Sequence, residues 1–106
     1  MNDYELEFQL ILHAGDARAK AMLAIEEARE GDFEAASDYL KEARGSFKEA
    51  HKSQTTLIQA EANGEKNELN VLLVHAQDHL TMALTTLDNA EEFISIYKVL
   101  HKNNLI

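Results

Sequence analysis

Cysteine and proline are both absent from this chain of 106 residues. Without cysteine there is no disulfide framework, no thiolate metal site and no cysteine nucleophile, and a reducing compartment is permitted. Glycine occurs at only four positions, Gly15, Gly31, Gly45 and Gly64. With proline missing as well, strands and long loops lack their usual punctuation, and the chain reads as all-helical. Tryptophan is also missing, and four Phe with three Tyr are few for a core of this size, so alanine must fill much of the interior of closely packed helices. Basic side chains are scarce, ten Lys and Arg against nineteen Asp and Glu, for a net charge of −9. That balance opposes phosphate backbones and anionic membranes, and nucleic-acid binding is set aside. No apolar run approaches the roughly 20 residues of a membrane span, and the opening Met1-Asn2-Asp3-Tyr4-Glu5 has no basic region of the secretory kind. The expectation is one cytoplasmic domain over residues 1–106, not inserted in a membrane and large enough to fold without staples.

The punctuation that does exist falls at two places. Gly31 followed by Asp32 supplies a helix C-cap and then an N-cap, and Asn63-Gly64 plays the same part thirty residues on. This predicts helices of about 3–30, 33–62 and 67–102, each roughly 40 Å or more at 1.5 Å per residue. Short connections make neighbours antiparallel, so the predicted fold is an up-down-up antiparallel three-helix bundle.

Each predicted helix carries an apolar seam spaced by four and three. The first runs Leu10, Ala14, Ala17, Ala21, Ala24, Ala28. The second runs Phe33, Ala36, Leu40, Ala43, Phe47, Ala50, Gln54, Leu57. In the third it is Leu69, Leu73, Ala76, Leu80, Ala83, Leu87, Ala90, Ile94, Tyr97. Large residues alternate with alanine in the last two, as interdigitating layers require. The third helix has a second, opposed seam: Val71, His75, Asp78, Met82, Thr85, Asn89, Glu92, Ile96. A solvated face does not need Val71, Met82 and Ile96, and a core does not tolerate His75, Asp78 and Asn89. An interface between copies of the chain fits both, so a homo-oligomer joined through the third helix is expected.

The same helix holds the residues that carry chemistry. His75, Asp78 and His79 share one side, with neighbouring Cβ atoms about 5–6 Å apart. A neutral imidazole beside a carboxylate can bind a metal, move a proton or accept a phosphoryl group. A zinc-protease helix shares the four-residue histidine spacing but needs a glutamate directly after the first histidine, where this chain has Ala76. No Glu-x-x-His pair exists to build a di-iron bundle, and no glycine-rich loop exists to cradle ATP. A non-catalytic helical adaptor whose polar stripe only sets oligomer register, or a metal-binding bundle, stays open on these grounds.

Four words of the sequence, in order, resemble one family. They are Ala14-Gly15-Asp16-Ala17-Arg18, Gly31-Asp32-Phe33, Ala50-His51 with Gln54-Thr55, and Leu73-Val74-His75-Ala76-Gln77-Asp78-His79-Leu80. They are similar to the lactose/cellobiose-type IIA component of the bacterial phosphoenolpyruvate-dependent sugar phosphotransferase system, over nearly the whole chain. The resemblance implies an all-helical homotrimer that accepts a phosphoryl group from the histidine carrier HPr and passes it to a cysteine of the IIB component. IIB would then phosphorylate a lactose-, cellobiose- or chitobiose-type sugar as it crosses the membrane. It makes His75 the phosphorylated residue and puts Asp78 in a metal-assisted contact at the trimer axis. The tail His101-Lys102-Asn103-Asn104-Leu105-Ile106 has no counterpart in the resemblance.

These roles are chemically coherent. Neutral imidazole is a good nucleophile, and its phosphoramidate keeps the transfer potential a relay needs. Gln77 and His79 are candidates to donate hydrogen bonds to the phosphoryl oxygens or to hold the His75 tautomer. Three Asp78 carboxylates on one axis would repel, for which Mg²⁺ or a similar hard divalent cation is the natural remedy. His13 and His51 read as helix-face residues without a site role.

Overall fold

Three helices occupy residues 4–65 and 69–106, which are the ones described in this computed structural model: α1 (Glu5–Arg29), α2 (Phe33–Ala62) and α3 (Val71–Lys102). Among the described residues there is no strand, and the fold is the all-α bundle the sequence predicts.

All three helices end in the same motif. Gly31 N–H donates to the Ala28 carbonyl and Asp32 N–H to that of Glu27, with Gly31 at φ 87°. Gly64 and Glu65 repeat the pattern onto Glu61 and Ala60, with Gly64 at φ 91°. At the end of α3 the left-handed position is filled by Asn104 (φ 57°), and Asn104 and Leu105 donate to His101 and Leu100. This is the Schellman arrangement, which satisfies carbonyls that a helix end leaves without partners. The tail that the sequence left unassigned is therefore the cap of α3, with asparagine replacing glycine where φ turns positive.

The starts of α2 and α3 are set by side-chain caps. Asp32 accepts from Ala35 N–H at 3.0 Å, as expected. The start of α3 corrects the sequence reading. Asn70 accepts from Leu73 N–H at 2.9 Å and adopts an extended backbone, so the helix begins at Val71 and not at 67. Residues 66–68, part of that predicted first turn, lie outside the described residues. Leu69 precedes the cap, is 81% exposed and does not belong to the seam.

Two core clusters give the topology. Ala21, Ala24 and Ala28 of α1 meet Ala36, Leu40 and Ala43 of α2 and Leu87, Ala90 and Ile94 of α3. Leu10, Ala14 and Ala17 meet Ala50 and Leu57 of α2 and Ala76, Leu80 and Ala83 of α3. Helices α1 and α3 therefore run together and α2 runs against them, up-down-up. Every alanine of the α1 seam is fully buried, and Leu10 is the largest side chain buried that completely. The helices approach closely because there is so little between them.

Polar ties fix the relative positions of the helices. Ser46 of α2 donates to Asp16 of α1 at 2.5 Å, and Lys20 lies 3.4 Å from Asp16 and 3.3 Å from Glu42. The Ser46 hydroxyl above all holds the Asp16 carboxyl below its ordinary pKa; burial opposes it, and the Lys20 ammonium adds to the lowering. Helices α2 and α3 touch each other least, and Arg44–Glu91 and Gln54–Gln77 tie them together.

Candidate functional site

His75 and His79 fall in the second and third turns of α3, one above the other as the i, i+4 geometry requires. Their Nε2 atoms are 3.0 Å apart, and their rings meet edge to face, with centroids 4.4 Å apart and planes at 89°. A nitrogen–nitrogen hydrogen bond needs one proton between two lone pairs. When His79 Nε2–H is the donor, His75 keeps its own proton on Nδ1 and presents its Nε2 lone pair in a fixed direction. His75 is exposed and His79 half-buried, so the inner ring braces the outer one.

The remaining predicted residues divide. Asp78 is exposed on the outward side of α3 and makes no ion pair or hydrogen bond among the described residues. Gln77 is turned toward α2, where its Oε1 accepts from Gln54 Nε2 at 2.8 Å. Two residues are about 200° on a helix, so Gln77 and His75 lie on nearly opposite sides of α3 in one chain. The sequence places Gln54 in the second seam as a packing residue. The structure shows that it holds Gln77.

The other histidines are elsewhere. His51 stacks on Phe47 with centroids 6.2 Å apart. His13 is half-buried and borders a polar recess between α1 and α2 with Glu49, Lys52 and Ser53. His101 closes the far end of the bundle: its Nε2 lies 3.0 Å from the Arg29 carbonyl, and its ring meets Phe33 edge-on at 5.5 Å.

The opposed seam of α3 is on the surface of the single chain, as expected, with Val71 85%, Met82 44% and Ile96 53% exposed. A matching apolar face on α1 escaped the sequence reading. Phe8, Leu12 and Met22 are exposed there in line with Gly15 and Ala19, again at four-three spacing. The periodicity was present in the sequence, but the alanine seam on the other side of α1 is stronger and masks it. Between the two faces, Met22 and Ile25 of α1 and Thr86, Asn89, Phe93 and Tyr97 of α3 line an open groove.

The histidine pair thus stands on the third helix of an alanine-cored bundle, His75 in the open and His79 half-covered. The family model described as "PTS system, Lactose/Cellobiose specific IIA subunit" matches residues 5–98, and the chain belongs to that family. It is thus a component of the sugar phosphotransferase machinery. The chain is 49% identical over 94 residues to the lichenan-specific phosphotransferase enzyme IIA component of Bacillus subtilis, covering 89% of this chain and 86% of that one. Among solved structures, the cellobiose-specific enzyme IIA of Bacillus anthracis matches with a TM-score of 0.92 and 48% identity, covering 96% of this chain and 94% of that one. The IIA(chitobiose) of Escherichia coli, solved in complex with HPr, matches with a TM-score of 0.81 and 33% identity, covering 95% and 99%. No helix among the described residues is long and apolar enough to cross a membrane.

Proposed function

We propose that the protein is a cytoplasmic phosphocarrier that receives a phosphoryl group from phospho-HPr on His75 and delivers it to a cysteine of a IIB component. The observation that carries this reading is the His75–His79 pair, in which one ring is exposed and its partner can hold it as a nucleophile. The Nε2 lone pair of His75 attacks phosphorus; the P–N bond to the HPr histidine breaks as the new P–N bond forms. The IIB thiolate then attacks the same phosphorus, the P–Nε2 bond breaks with its electron pair returning to Nε2, and His75 leaves as neutral imidazole with its Nδ1 proton kept throughout. Transfer of this kind needs positioning and charge stabilisation more than covalent chemistry from the protein. The side chain of His75 leans toward the N-terminus of α3, whose free amides and dipole favour an added anion. His79, released from its bond to His75, can turn its N–H to a phosphoryl oxygen. The sugar is of the lactose, cellobiose or chitobiose type, its identity set by the other components. The similarity to an IIA solved with HPr supports the choice of donor.

The working form in this reading is a homotrimer joined through α3. The exposed Val71, Met82 and Ile96 supply an apolar surface that a single chain leaves in water. Asp78 lies on the same face and would meet its copies at the axis. No group of three or more His, Cys, Asp or Glu side chains capable of holding an ion exists within the described residues of one chain. A resident Mg²⁺ or similar cation would therefore need carboxylates from several copies, and its contribution would be to offset their repulsion. Gln77 is bonded to Gln54 on the far side of α3 from its own His75, so in this reading it reaches a phosphoryl oxygen only by turning out of that bond.

Incubation with phosphoenolpyruvate, enzyme I and HPr, followed by intact mass measurement, tests the reading. One added phosphoryl group, labile to acid and stable to alkali, is expected. An unmodified chain beside demonstrably phosphorylated HPr would leave a non-catalytic helical adaptor as the better account.

A further inference from the structure

The same two rings form a ready chelate for a borderline metal ion. We infer that His75 and His79 together bind one Zn²⁺ through their Nε2 atoms, and that zinc held there blocks phosphoryl acceptance. Nothing in the phosphocarrier reading calls for this site; only the second half of the inference rests on that reading.

Geometry comes first. Two imidazole nitrogens on a tetrahedral zinc, each about 2.0–2.1 Å from the metal, stand roughly 3.3 Å apart. The Nε2 atoms of His75 and His79 are 3.0 Å apart, so the pair opens by only a few tenths of an ångström. Both Nε2 atoms already face each other from a rigid helix, and a pair of histidines at this spacing on one helix face is a recurrent zinc chelate. Neither ring has another hydrogen-bond partner among the described residues. The one bond to be given up is the shared N–H, and its proton moves to Nδ1 of the same ring or to water as the metal enters. His75 is exposed, so the ion has an approach and water can complete its coordination.

Ligand chemistry then selects the ion. Imidazole suits Zn²⁺, Cu²⁺ and Ni²⁺, whereas Mg²⁺ prefers oxygen. A histidine pair therefore discriminates against the hard cation invoked for Asp78, and the two metal proposals respond to different ions. Occupancy has a direct consequence: the lone pair that would attack phosphorus is the one donated to zinc, so one Nε2 cannot do both at once. Zinc would act as a reversible competitor of the phosphoryl donor.

The test is isothermal titration of the purified chain with ZnCl₂ in a buffer containing excess Mg²⁺. One Zn²⁺ per chain is expected. His75→Gln and His79→Gln should each lose on the order of a hundredfold in affinity, because the second imidazole acts at the high effective concentration of a tethered group. His13→Gln, His51→Gln and His101→Gln should bind as the wild type does, with circular dichroism verifying the fold of every variant. Stoichiometric zinc retained by His79→Gln, or no uptake by the wild type, overturns the site. A second arm mixes the chain with purified phospho-HPr, with and without saturating zinc. Suppressed transfer that a chelator restores supports competition, and equal transfer in both samples overturns it. A chain that accepts no phosphoryl group even without zinc would sink the phosphocarrier reading and the competition drawn from it, while the titration still decides the metal site.

Discussion

Gln54 on α2 donates to Gln77 on α3 at 2.8 Å, and this bond crosses the helix pair that shares the least surface. Both amides are half-buried, so neither is fully compensated by water when its partner is removed. Gln54→Ala is expected to cost about 1 kcal/mol in urea unfolding. A double-mutant cycle with Gln77→Ala should return a coupling of similar size. Simple additivity of the two would mean that the bond contributes nothing to holding α2 against α3.

His75 and His79 are expected to separate by function although they touch. His75→Gln should keep the helical content and abolish phosphoryl acceptance, because an amide is not a usable nucleophile. His79→Gln should slow acceptance without abolishing it, since the lost group braces and donates but does not attack. Intact mass after timed exposure to phospho-HPr reads both. A reversed pattern would show that His79 is the acceptor.

Asp78→Leu probes the proposed axis. Three carboxylates brought together repel more strongly as water is excluded, and replacing such charge by packed apolar groups is often neutral or stabilising by about 1–4 kcal/mol. The trimer proposed for the wild type should loosen in EDTA, and the leucine variant should be tighter and indifferent to chelator. Sedimentation mass decides. A monomeric variant, or a metal-free wild type that ignores EDTA, would remove Asp78 from the axis.

At Gly31 backbone and packing demand the same residue. Its φ is 87°, and an added Cβ would sit 3.1 Å from Cε1 of His101. Gly31→Ala should cost about 1–2 kcal/mol from the left-handed backbone alone. In a domain this small, that corresponds to a fall in Tm of roughly 5 °C or more. Adding His101→Ala should relieve the contact but not the backbone strain, so calorimetry should show only partial recovery.

The Asp16 network predicts a dependence on pH. The folded-state pKa of Asp16 lies below its ordinary value of 3.8 because Ser46 and Lys20 favour the carboxylate. The stabilisation is therefore complete above the unfolded pKa and disappears as pH falls through the lower folded value. Ser46→Ala should destabilise by about 1 kcal/mol or less at neutral pH, given how exposed this carboxylate is. The difference from wild type should shrink in acid. A gap that stays constant across the titration would mean that Ser46 acts through something other than the Asp16 charge.

Much of this architecture was legible because it is local. Gly31-Asp32 and Asn63-Gly64 encode turn chemistry within a few residues, and the alanine seam of α1 repeats without interruption. His75 and His79 were legible as a pair, since four residues on a helix fix their proximity. What escaped depends on what lies opposite. The periodicity that enrolled Leu69 in the third seam cannot detect that Asn70 prefers to cap. Gln77 shares a motif with His75, yet only the position of Gln54 shows which way it turns. Asn104 closes α3 with a residue that tolerates positive φ less readily than glycine, so the sequence signal for that stop was weaker.

The bundle measures 57 × 21 × 16 Å along its principal axes, scarcely wider than two helix diameters. A rod that thin, filled with alanine, has no interior large enough to sequester a reactive intermediate. On a single chain a phosphoryl group carried on His75 would stand in water, so any cover for it has to come from neighbouring copies or from the next protein. Fidelity in such a carrier becomes a matter of timing: the next protein must arrive before hydrolysis does. The cellular abundance of its partners would then determine how much of each phosphoryl group's journey is completed.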